Sequence, residues 1–269
     1  MKAVAIDLDG TLLNSKHKVS DFSKKILNHL HNKGVKIILA SARPIQSVLN
    51  IAKEIGLSDI PMIGGNGAII ASDSKNIIYK NSIDEAEKAN LFAELKRFPE
   101  IDQLTIHIYS DFNWFIPALT QKAQEEINII GFSPSQTGEN VFNIAHSVQK
   151  MMIVGTPVVL EKLKQYIELN LTQISCVFSK SDSLEINAVG VSKFLGVSTY
   201  AKLYQLSVSD VIAFGDGDND EQMLKNCGIG VAIANATDLA KKAAAYLTKT
   251  NNEDGVAVFL QDYFKLSQY

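Results

Sequence analysis

Three short apolar runs of this chain end in polar side chains that could do chemistry. The runs and the side chains that follow them are 3–6 with Asp7 and Asp9, 35–40 with Ser41, and 211–214 with Asp216 and Asp220. Apolar runs of this length, of which only 35–40 contains a charged residue, Lys36, predict buried parallel strands. In open parallel sheets, ligands bind beyond the carboxyl ends of the strands, so we expect these polar groups to share one crevice.

Four carboxylates in one crevice predict a cation. Asp7, Asp9, Asp216 and Asp220 would repel one another unless one of them is protonated or a cation lies among them. An Asp-x-Asp pair alone is more often a solvated turn, and the second acidic segment after another apolar run is what favours a metal site. Oxygen ligands select a hard ion, and Mg²⁺ is the usual one beside phosphate. We therefore predict a hard cation, with Mg²⁺ as the usual ion, among these carboxylates.

The elements that must position these groups follow two different patterns along the chain. Near both ends, apolar strands alternate with amphipathic helices, which predicts an α/β core with a parallel sheet. The middle of the chain mixes helices with hairpin-like strand pairs, which indicates an inserted α+β domain. We predict a Rossmann-like core from residues 1–80 and 188–269 and an inserted domain from residues 81–187. Within the core, the pattern predicts a loop at 64–67 and a helix over 198–205.

Composition excludes several classes of function. The chain has 269 residues, of which 46% are hydrophobic and 20% charged, as expected of a globular protein. Its net charge of −3 and the absence of a basic run argue against nucleic-acid binding. No apolar run approaches the ~18 residues of a membrane span, and the acidic start of the chain does not resemble a signal peptide. We expect a cytoplasmic protein, a monomer or weak homodimer, with Cys176 and Cys227 as buried apolar residues.

Taken in order, the polar segments resemble the motifs of the haloacid dehalogenase-like (HAD) superfamily, and of its Cof-type branch in particular. DLDGTLL from Asp7 resembles the first motif, Ser41 the second, Lys193 the third and the segment ending at Asp220 the fourth. Further matching segments are GGNGA at 64–68, Asn235-Ala236 and NNEDGV at 251–256. The resemblance implies the HAD fold, with the inserted α+β domain as a cap that selects the substrate.

The resemblance also implies roles for the four acidic residues. Asp7 would attack phosphorus and form an aspartyl phosphate, which is a known kind of covalent catalysis. Asp9 would protonate the leaving oxygen and later accept a proton from water, and its main-chain carbonyl would bind the metal. That role calls for a raised pKa, which we expect neighbouring negative charge to supply. Asp216 would be the second carboxylate ligand, and Asp220 would support the metal or its waters.

Phosphate binding is assigned to five further positions by the same resemblance. Phosphoryl transfer depends mainly on positioning and charge stabilisation. Lys193 would supply the positive charge, and Ser41 Oγ would donate to a phosphate oxygen. The backbone N–H groups of Leu8 and Ala42 would do the same, and Asn219 is a further expected phosphate contact.

Two positions depart from the family pattern, and two others remain open. Ala42 stands where the second motif commonly has Gly, which would be penalised if the position needs a positive φ. Phe194 follows Lys193 where Gly is usual. Arg43 could reach a substrate or make a structural ion pair, and Asn66 could contact substrate or simply form a turn.

We therefore predict a Mg²⁺-dependent phosphatase that acts on a small phosphorylated metabolite, such as a sugar phosphate or a cofactor-like phosphate monoester. A phosphotransferase such as a phosphomutase would use the same intermediate, and the motifs do not decide what accepts the phosphoryl group. A non-catalytic binding protein on the same scaffold is disfavoured because Asp7, Asp9, Lys193 and Asp216 are all intact.

Overall fold

The computed structural model of the chain describes residues 1–73 and 76–266. The chain divides into two compact units, one formed by Met1–Ile78 with Ser192–Tyr269 and the other by Tyr79–Val191. The first unit is built from both ends of the chain, and the second from the segment between them.

Both units are built from strands and helices. In chain order, the strands are β1 (Ala3–Ile6), β2 (Lys36–Ala40), β3 (Met62–Gly64), β4 (Ile69–Ala71), β5 (Ile77–Lys80), β6 (Thr105–Ser110), β7 (Asn113–Ile116), β8 (Gln136–Thr137), β9 (Lys150–Val154), β10 (Ile174–Lys180), β11 (Ser183–Ala188), β12 (Val211–Gly215), β13 (Ile229–Ala232) and β14 (Tyr246–Leu247). The helices are α1 (Asp21–Asn32), α2 (Ile45–Ile55), α3 (Glu85–Arg97), α4 (Gln121–Ile130), α5 (Pro157–Asn170), α6 (Lys193–Leu203), α7 (Glu221–Asn226), α8 (Asp238–Ala243) and α9 (Gly255–Tyr263).

The core sheet has the strand order β14-β13-β12-β1-β2-β3-β4-β5. The strands from β14 to β3 pair in parallel, as the alternating pattern predicted. All four residues of β1 are buried, which explains why the strand is apolar on both faces. Helix α1 begins after Ser20, whose side chain accepts the N–H of Ser23, and it buries an apolar stripe. The parallel sheet thus brings the carboxyl ends of β2, β1 and β12 side by side.

Two elements of the core differ from the sequence prediction. Residues 64–67 are not a simple loop, because β3 and β4 pair antiparallel around them and Asn66 takes the left-handed conformation. Helix α6 begins at Lys193 and not at 198, with the Ser192 side chain accepting the N–H of Leu195. Gly196 interrupts the apolar pattern of this helix, and a Cβ there would overlap the Ile63 side chain. Close packing against Ile63 therefore explains the glycine, and the glycine explains why the sequence pattern placed the start of the helix too late.

The inserted unit has a six-stranded sheet with the order β10-β11-β9-β6-β7-β8. Apolar residues of α3 and α5 pack with Ile106, Ile108 and Ile186 in its main core. Residues of α4 pack with Tyr109 and Trp114 in a second cluster. The hairpin-like strand pairs expected in the middle of the chain include the antiparallel pairs β6–β7 and β10–β11. The short strand β8, which pairs in parallel with β7, was not predicted because two polar residues carry no periodic signal.

Both cysteines are free and buried, as expected, and burial raises the pKa of each thiol to about 12. Thiols of this kind are inert core groups. Among the described residues, no helix combines the length and the apolarity that a membrane crossing requires.

Truncation of the buried stripe of α1 tests this account of the core. Leu27 is 0% exposed, whereas Leu203 at the end of α6 is 54% exposed. We expect Leu27→Ala to lower the free energy of unfolding by about 2–5 kcal/mol, because it removes buried contacts and leaves a cavity. The matched control Leu203→Ala should change it by less than about 0.5 kcal/mol. Urea unfolding measures both values, and equal losses would contradict the packing described.

Candidate active site

The carboxyl ends of β1, β2 and β12 bring the predicted site residues into one place. Asp7 follows β1 directly, Ser41 follows β2, and Asp216 follows β12. The backbone N–H of Asp7 donates to the Phe214 carbonyl at 3.1 Å, which ties the loop after β1 to its neighbouring strand.

A buried lysine joins two of the carboxylates. Lys193 Nζ lies 2.6 Å from Asp7 Oδ1 and 2.7 Å from Asp220 Oδ1. The three residues are 2%, 4% and 0% exposed, respectively. Burial alone would lower the pKa of Lys193, but the charges of Asp220 and Asp7 outweigh it and raise that pKa above its ordinary value. Lys193 is therefore a permanent positive charge in the centre of the site.

The site still carries more negative than positive charge. One oxygen each from Asp7, Asp216 and Asp220 can be chosen so that all three lie within 4.8 Å of one another. Burial raises the pKa of Asp7 well above its ordinary range, Lys193 opposes this rise, and the nearby carboxylates reinforce it. Burial also raises the pKa of Asp216. Three oxygen donors with one ammonium group fit a hard divalent cation, which would relieve the remaining repulsion.

Asp220 holds the site together through both of its oxygens. Its Oδ1 accepts from Lys193, and its Oδ2 accepts the backbone N–H groups of Asp216 at 3.1 Å and Gly217 at 3.0 Å. A Cβ at residue 215 would overlap the Asp220 side chain, so the glycine there is required by close approach. Asp220 therefore fixes the backbone of the loop that carries Asp216. The role predicted for Asp220, support of the metal or its waters, would be additional to this structural role.

The loop after β1 approaches Asp216 closely. Gly10 has a φ of 79°, and a Cβ there would overlap the Asp216 carboxylate. Thr11 Oγ1 donates to Asp216 Oδ1 at 2.8 Å. The Gly-Thr pair of the first motif thus lets the β1 loop reach Asp216 and bond to it, because glycine alone combines that φ with that lack of volume.

The prediction of a raised pKa for Asp9 is wrong. Arg43 donates from Nε to Asp9 Oδ2 at 2.7 Å and from Nη2 to Oδ1 at 2.6 Å. Partial burial raises the pKa of Asp9, but the hydrogen bonds and the charge of Arg43 outweigh this effect and hold the pKa below its ordinary value. The partner of Asp9 is therefore a cation and not the neighbouring carboxylates. Of the two roles left open for Arg43, the structure shows the ion pair.

His17 is a neighbour of Asp9 that was not predicted from the sequence. Its Nδ1 lies 3.6 Å from Asp9 Oδ1, and its φ is 54°. The Asn14 side chain accepts the N–H groups of Lys16 and Lys18 and so folds the tight turn that carries His17. Asparagine four residues before Lys18 is a turn signal, and it is the only cue in the sequence for this placement.

The predicted phosphate contacts have mixed surroundings. The Ser41 side chain is buried, and its Oγ accepts the backbone N–H of Arg43 at 3.1 Å, so the hydroxyl proton can be donated to a ligand. Asn219 Nδ2 donates to Asn66 Oδ1 at 3.0 Å, which joins two residues that were candidates for substrate contact. Leu8 is fully buried between Asp7 and Asp9, so it can offer a ligand only its backbone.

The two departures from the family pattern lie at Ala42 and Phe194. Ala42 is not among the described non-glycine residues with positive φ, so the alanine carries no conformational penalty. Phe194 is the second residue of α6 and is half-buried.

Comparison with known proteins agrees with this geometry. The family model of haloacid dehalogenase-like hydrolases matches residues 4–260. A Haemophilus influenzae protein described only as a candidate phosphatase is 32% identical over 98% of this chain and 97% of its own length. The 5-amino-6-(5-phospho-D-ribitylamino)uracil phosphatase YcsE of Bacillus subtilis is 27% identical over 96% of this chain and 93% of its own length. A haloacid dehalogenase-like hydrolase from Bacteroides thetaiotaomicron has a TM-score of 0.90 and 30% identity, with 98% of this chain and 99% of that chain covered.

The chain therefore belongs to the haloacid dehalogenase-like hydrolases. Within this family its relatives place it among the phosphatases, which confirms the predicted enzyme class.

Opposite pKa shifts in Asp7 and Asp9 predict opposite dependences of stability on pH. The folded pKa of Asp7 lies above its ordinary value of 3.8, so folding stability is lost as the pH rises from that value through the folded pKa. Asp7→Asn removes this pH-dependent loss, and it also takes one partner from the buried Lys193, which costs stability at every pH. In EDTA, we therefore expect the thermal midpoint of the variant, relative to that of the unaltered protein, to rise as the pH increases above about 4.

Asp9→Asn is the matched comparison. The lowered pKa of Asp9 means that its ion pair stabilises the fold above pH 3.8, and this stability is lost as the pH falls through the folded pKa. Asp9→Asn should therefore lower the thermal midpoint at neutral pH, with a deficit that shrinks towards pH 3. Relative midpoints that change in the same direction with pH in both variants would contradict the described electrostatics.

Proposed function

We propose that this chain is a Mg²⁺-dependent phosphatase that hydrolyses small phosphorylated metabolites through an aspartyl phosphate on Asp7. The single observation that carries this proposal is the buried ion pair of Lys193 with Asp7. It fixes an Asp7 carboxylate oxygen beside a permanent positive charge. An anionic phosphoryl group and a carboxylate nucleophile repel each other, and this positive charge offsets the repulsion.

In the first half of the reaction, an Asp7 carboxylate oxygen attacks phosphorus, and the bond from phosphorus to the leaving oxygen breaks. Asp9 acts here in its protonated form, which the negative charge of the bound phosphate favours, and it gives that proton to the leaving oxygen and becomes a carboxylate. Lys193 balances charge on the phosphoryl oxygens, and the Ser41 hydroxyl donates to one of them, together with the backbone N–H groups of Leu8 and Ala42. Asn219, whose amide meets Asn66, is a further donor.

In the second half, water attacks phosphorus, and the bond between phosphorus and Asp7 breaks. Asp9 accepts a proton from the water, inorganic phosphate leaves, and both carboxyl groups return to their starting forms. The low pKa of Asp9 in the unliganded site suits this second half, since a carboxylate is the form that accepts a proton, whereas the first half requires the bound phosphate to raise that pKa.

A divalent cation would be held by Asp7 and Asp216, with the Asp9 carbonyl and Asp220 in support. When bound, Mg²⁺ supplies positive charge that offsets the repulsion among the carboxylates and the phosphoryl group. The raised pKa values of Asp7 and Asp216 support this assignment, because burial, reinforced by the charge of Asp220, disfavours their carboxylate forms unless a cation lies beside them.

The substrate class is proposed from the relatives. One of them is named for a phosphorylated ribitylamino-uracil, a small polar metabolite. We assign the choice of substrate to the inserted unit Tyr79–Val191, since the site residues of the core all serve the phosphoryl group.

Replacement of the nucleophile is the direct test. Asp7→Asn keeps the size of the side chain but removes the attacking charge, so we expect phosphate release from p-nitrophenyl phosphate to fall by about a thousandfold or more. EDTA should abolish the activity of the unaltered protein, and added Mg²⁺ should restore it. The control Asp262→Asn changes an exposed residue of α9 and should retain full activity. Full activity in Asp7→Asn, or activity of the unaltered protein that EDTA does not change, would contradict the mechanism.

Asp9 should be separable from the metal site. Asp9→Asn leaves the main-chain carbonyl in place, so we expect turnover to fall by about a hundredfold or more while Mg²⁺ binding partly survives. Isothermal titration with Mg²⁺ and steady-state assays measure the two effects on the same preparation. An equal collapse of metal affinity and turnover would remove the support for an acid/base role.

A further inference from the structure

We infer that Arg43 is the positioning residue for Asp9: its guanidinium group fixes the orientation of the Asp9 carboxylate, and protonation of the leaving group depends on that orientation. The inference rests on the acid/base role proposed for Asp9.

The contact has the geometry of a planar fork. Two nitrogens of Arg43, Nε and Nη2, donate to the two different oxygens of Asp9 at 2.7 Å and 2.6 Å. Paired bonds of this kind fix the plane of the carboxylate as well as its position. The Asp9 side chain is 46% exposed, so solvent alone would leave it free to rotate. The fork therefore restrains a side chain that its own burial does not.

Arg43 is itself held in place. Its side chain is only 7% exposed, and its Nη1 donates to Ser47 Oγ at 3.2 Å on the first turns of α2. Its backbone N–H donates to Ser41 Oγ, so the same residue contacts the predicted phosphate donor. Arg43 thus links the loop after β2, which would bind phosphate, to the loop after β1, which carries Asp9.

The composition of the chain supports a specific need for arginine at this position. Of the 26 lysines and arginines in the sequence, only Arg43 and Arg97 are arginines. Arg97 is an exposed residue of α3 that pairs with Glu94, a place where lysine would serve as well. A lysine at position 43 would supply the charge but not the two parallel bonds, because an ammonium group is a point charge. The geometry of the fork is what distinguishes the two side chains.

A series of substituted phenyl phosphates tests the inference, because its members share one shape and differ in how much the leaving oxygen needs a proton. We expect Arg43→Gln to lower kcat/KM for phenyl phosphate by about tenfold or more and for 2,4-dinitrophenyl phosphate by less than about threefold. Arg43→Lys should show the same selective loss. Free guanidinium should restore phenyl phosphate turnover in Arg43→Ala, and Arg97→Gln should behave as the unaltered protein.

If Arg43 acts through Asp9, its substitution should have no further effect once Asp9 has been replaced. The double variant Asp9→Asn/Arg43→Gln should show the same dependence on the leaving group as Asp9→Asn alone, since Arg43 has nothing left to position. Thermal unfolding of each variant checks that it is folded at the assay temperature, and guanidinium rescue keeps the test valid if Arg43→Gln is less stable.

Several outcomes would overturn the inference. Equal losses for both phosphates in Arg43→Gln would show a general structural role, and an unchanged leaving-group dependence in Arg43→Lys would show that charge alone is enough. If Asp9→Asn steepens the dependence on the leaving group but Arg43→Gln does not, the inference fails and the proposed function stands. If Asp9→Asn itself leaves that dependence unchanged, the acid role fails and the inference fails with it.

Discussion

The buried ion pairs of Lys193 are the constraint on which the rest of the site depends. Lys193 stands at the start of α6 and joins Asp7 at the end of β1 to Asp220 at the start of α7, so three elements meet at one ammonium group. A charge in this setting is tolerated only with its partners, because taking any one of them away leaves an uncompensated buried ion. The positions of the Asp7 and Asp220 carboxylates are therefore set by the same interaction that prepares the site for an anionic substrate.

Close backbone approach is the second condition for this arrangement. The loops after β1 and β12 touch at Gly10 and Asp216, and Gly215 leaves room for Asp220. These contacts explain why the acidic motifs carry glycines at fixed positions. They also explain why Asp216 can be reached by the Thr11 hydroxyl, which offsets part of the effect of burial on its pKa.

Much of this was accessible from the sequence, and the remainder shows what local patterns omit. Apolar runs ending in polar residues located Asp7, Ser41 and Asp216, because strand burial and parallel pairing are written in local composition. The start of α6 was missed because Gly196 serves packing against Ile63 and not helix formation. The pKa of Asp9 was predicted with the wrong sign because its neighbours in sequence are acidic, whereas its partner in space, Arg43, lies 34 residues away. Interactions of that kind depend on the tertiary structure, and His17 escaped notice for the same reason.

The insertion of Tyr79–Val191 into the core also has a consequence for how the protein is made on the ribosome. Strand β1 has β2 on one side and β12 on the other, and Ala3 pairs with Val211. When the first half of the core has been synthesised, β12 has not yet been translated, so one edge of β1 has no partner strand. The inserted unit, in contrast, has all its strands once residue 188 has been translated. Domains fold as units during synthesis, and contacts distant in sequence form slowly. The inserted unit can thus fold first, while the nascent core keeps an apolar strand edge exposed. Chaperone binding or aggregation would act in this interval, before β12 is translated.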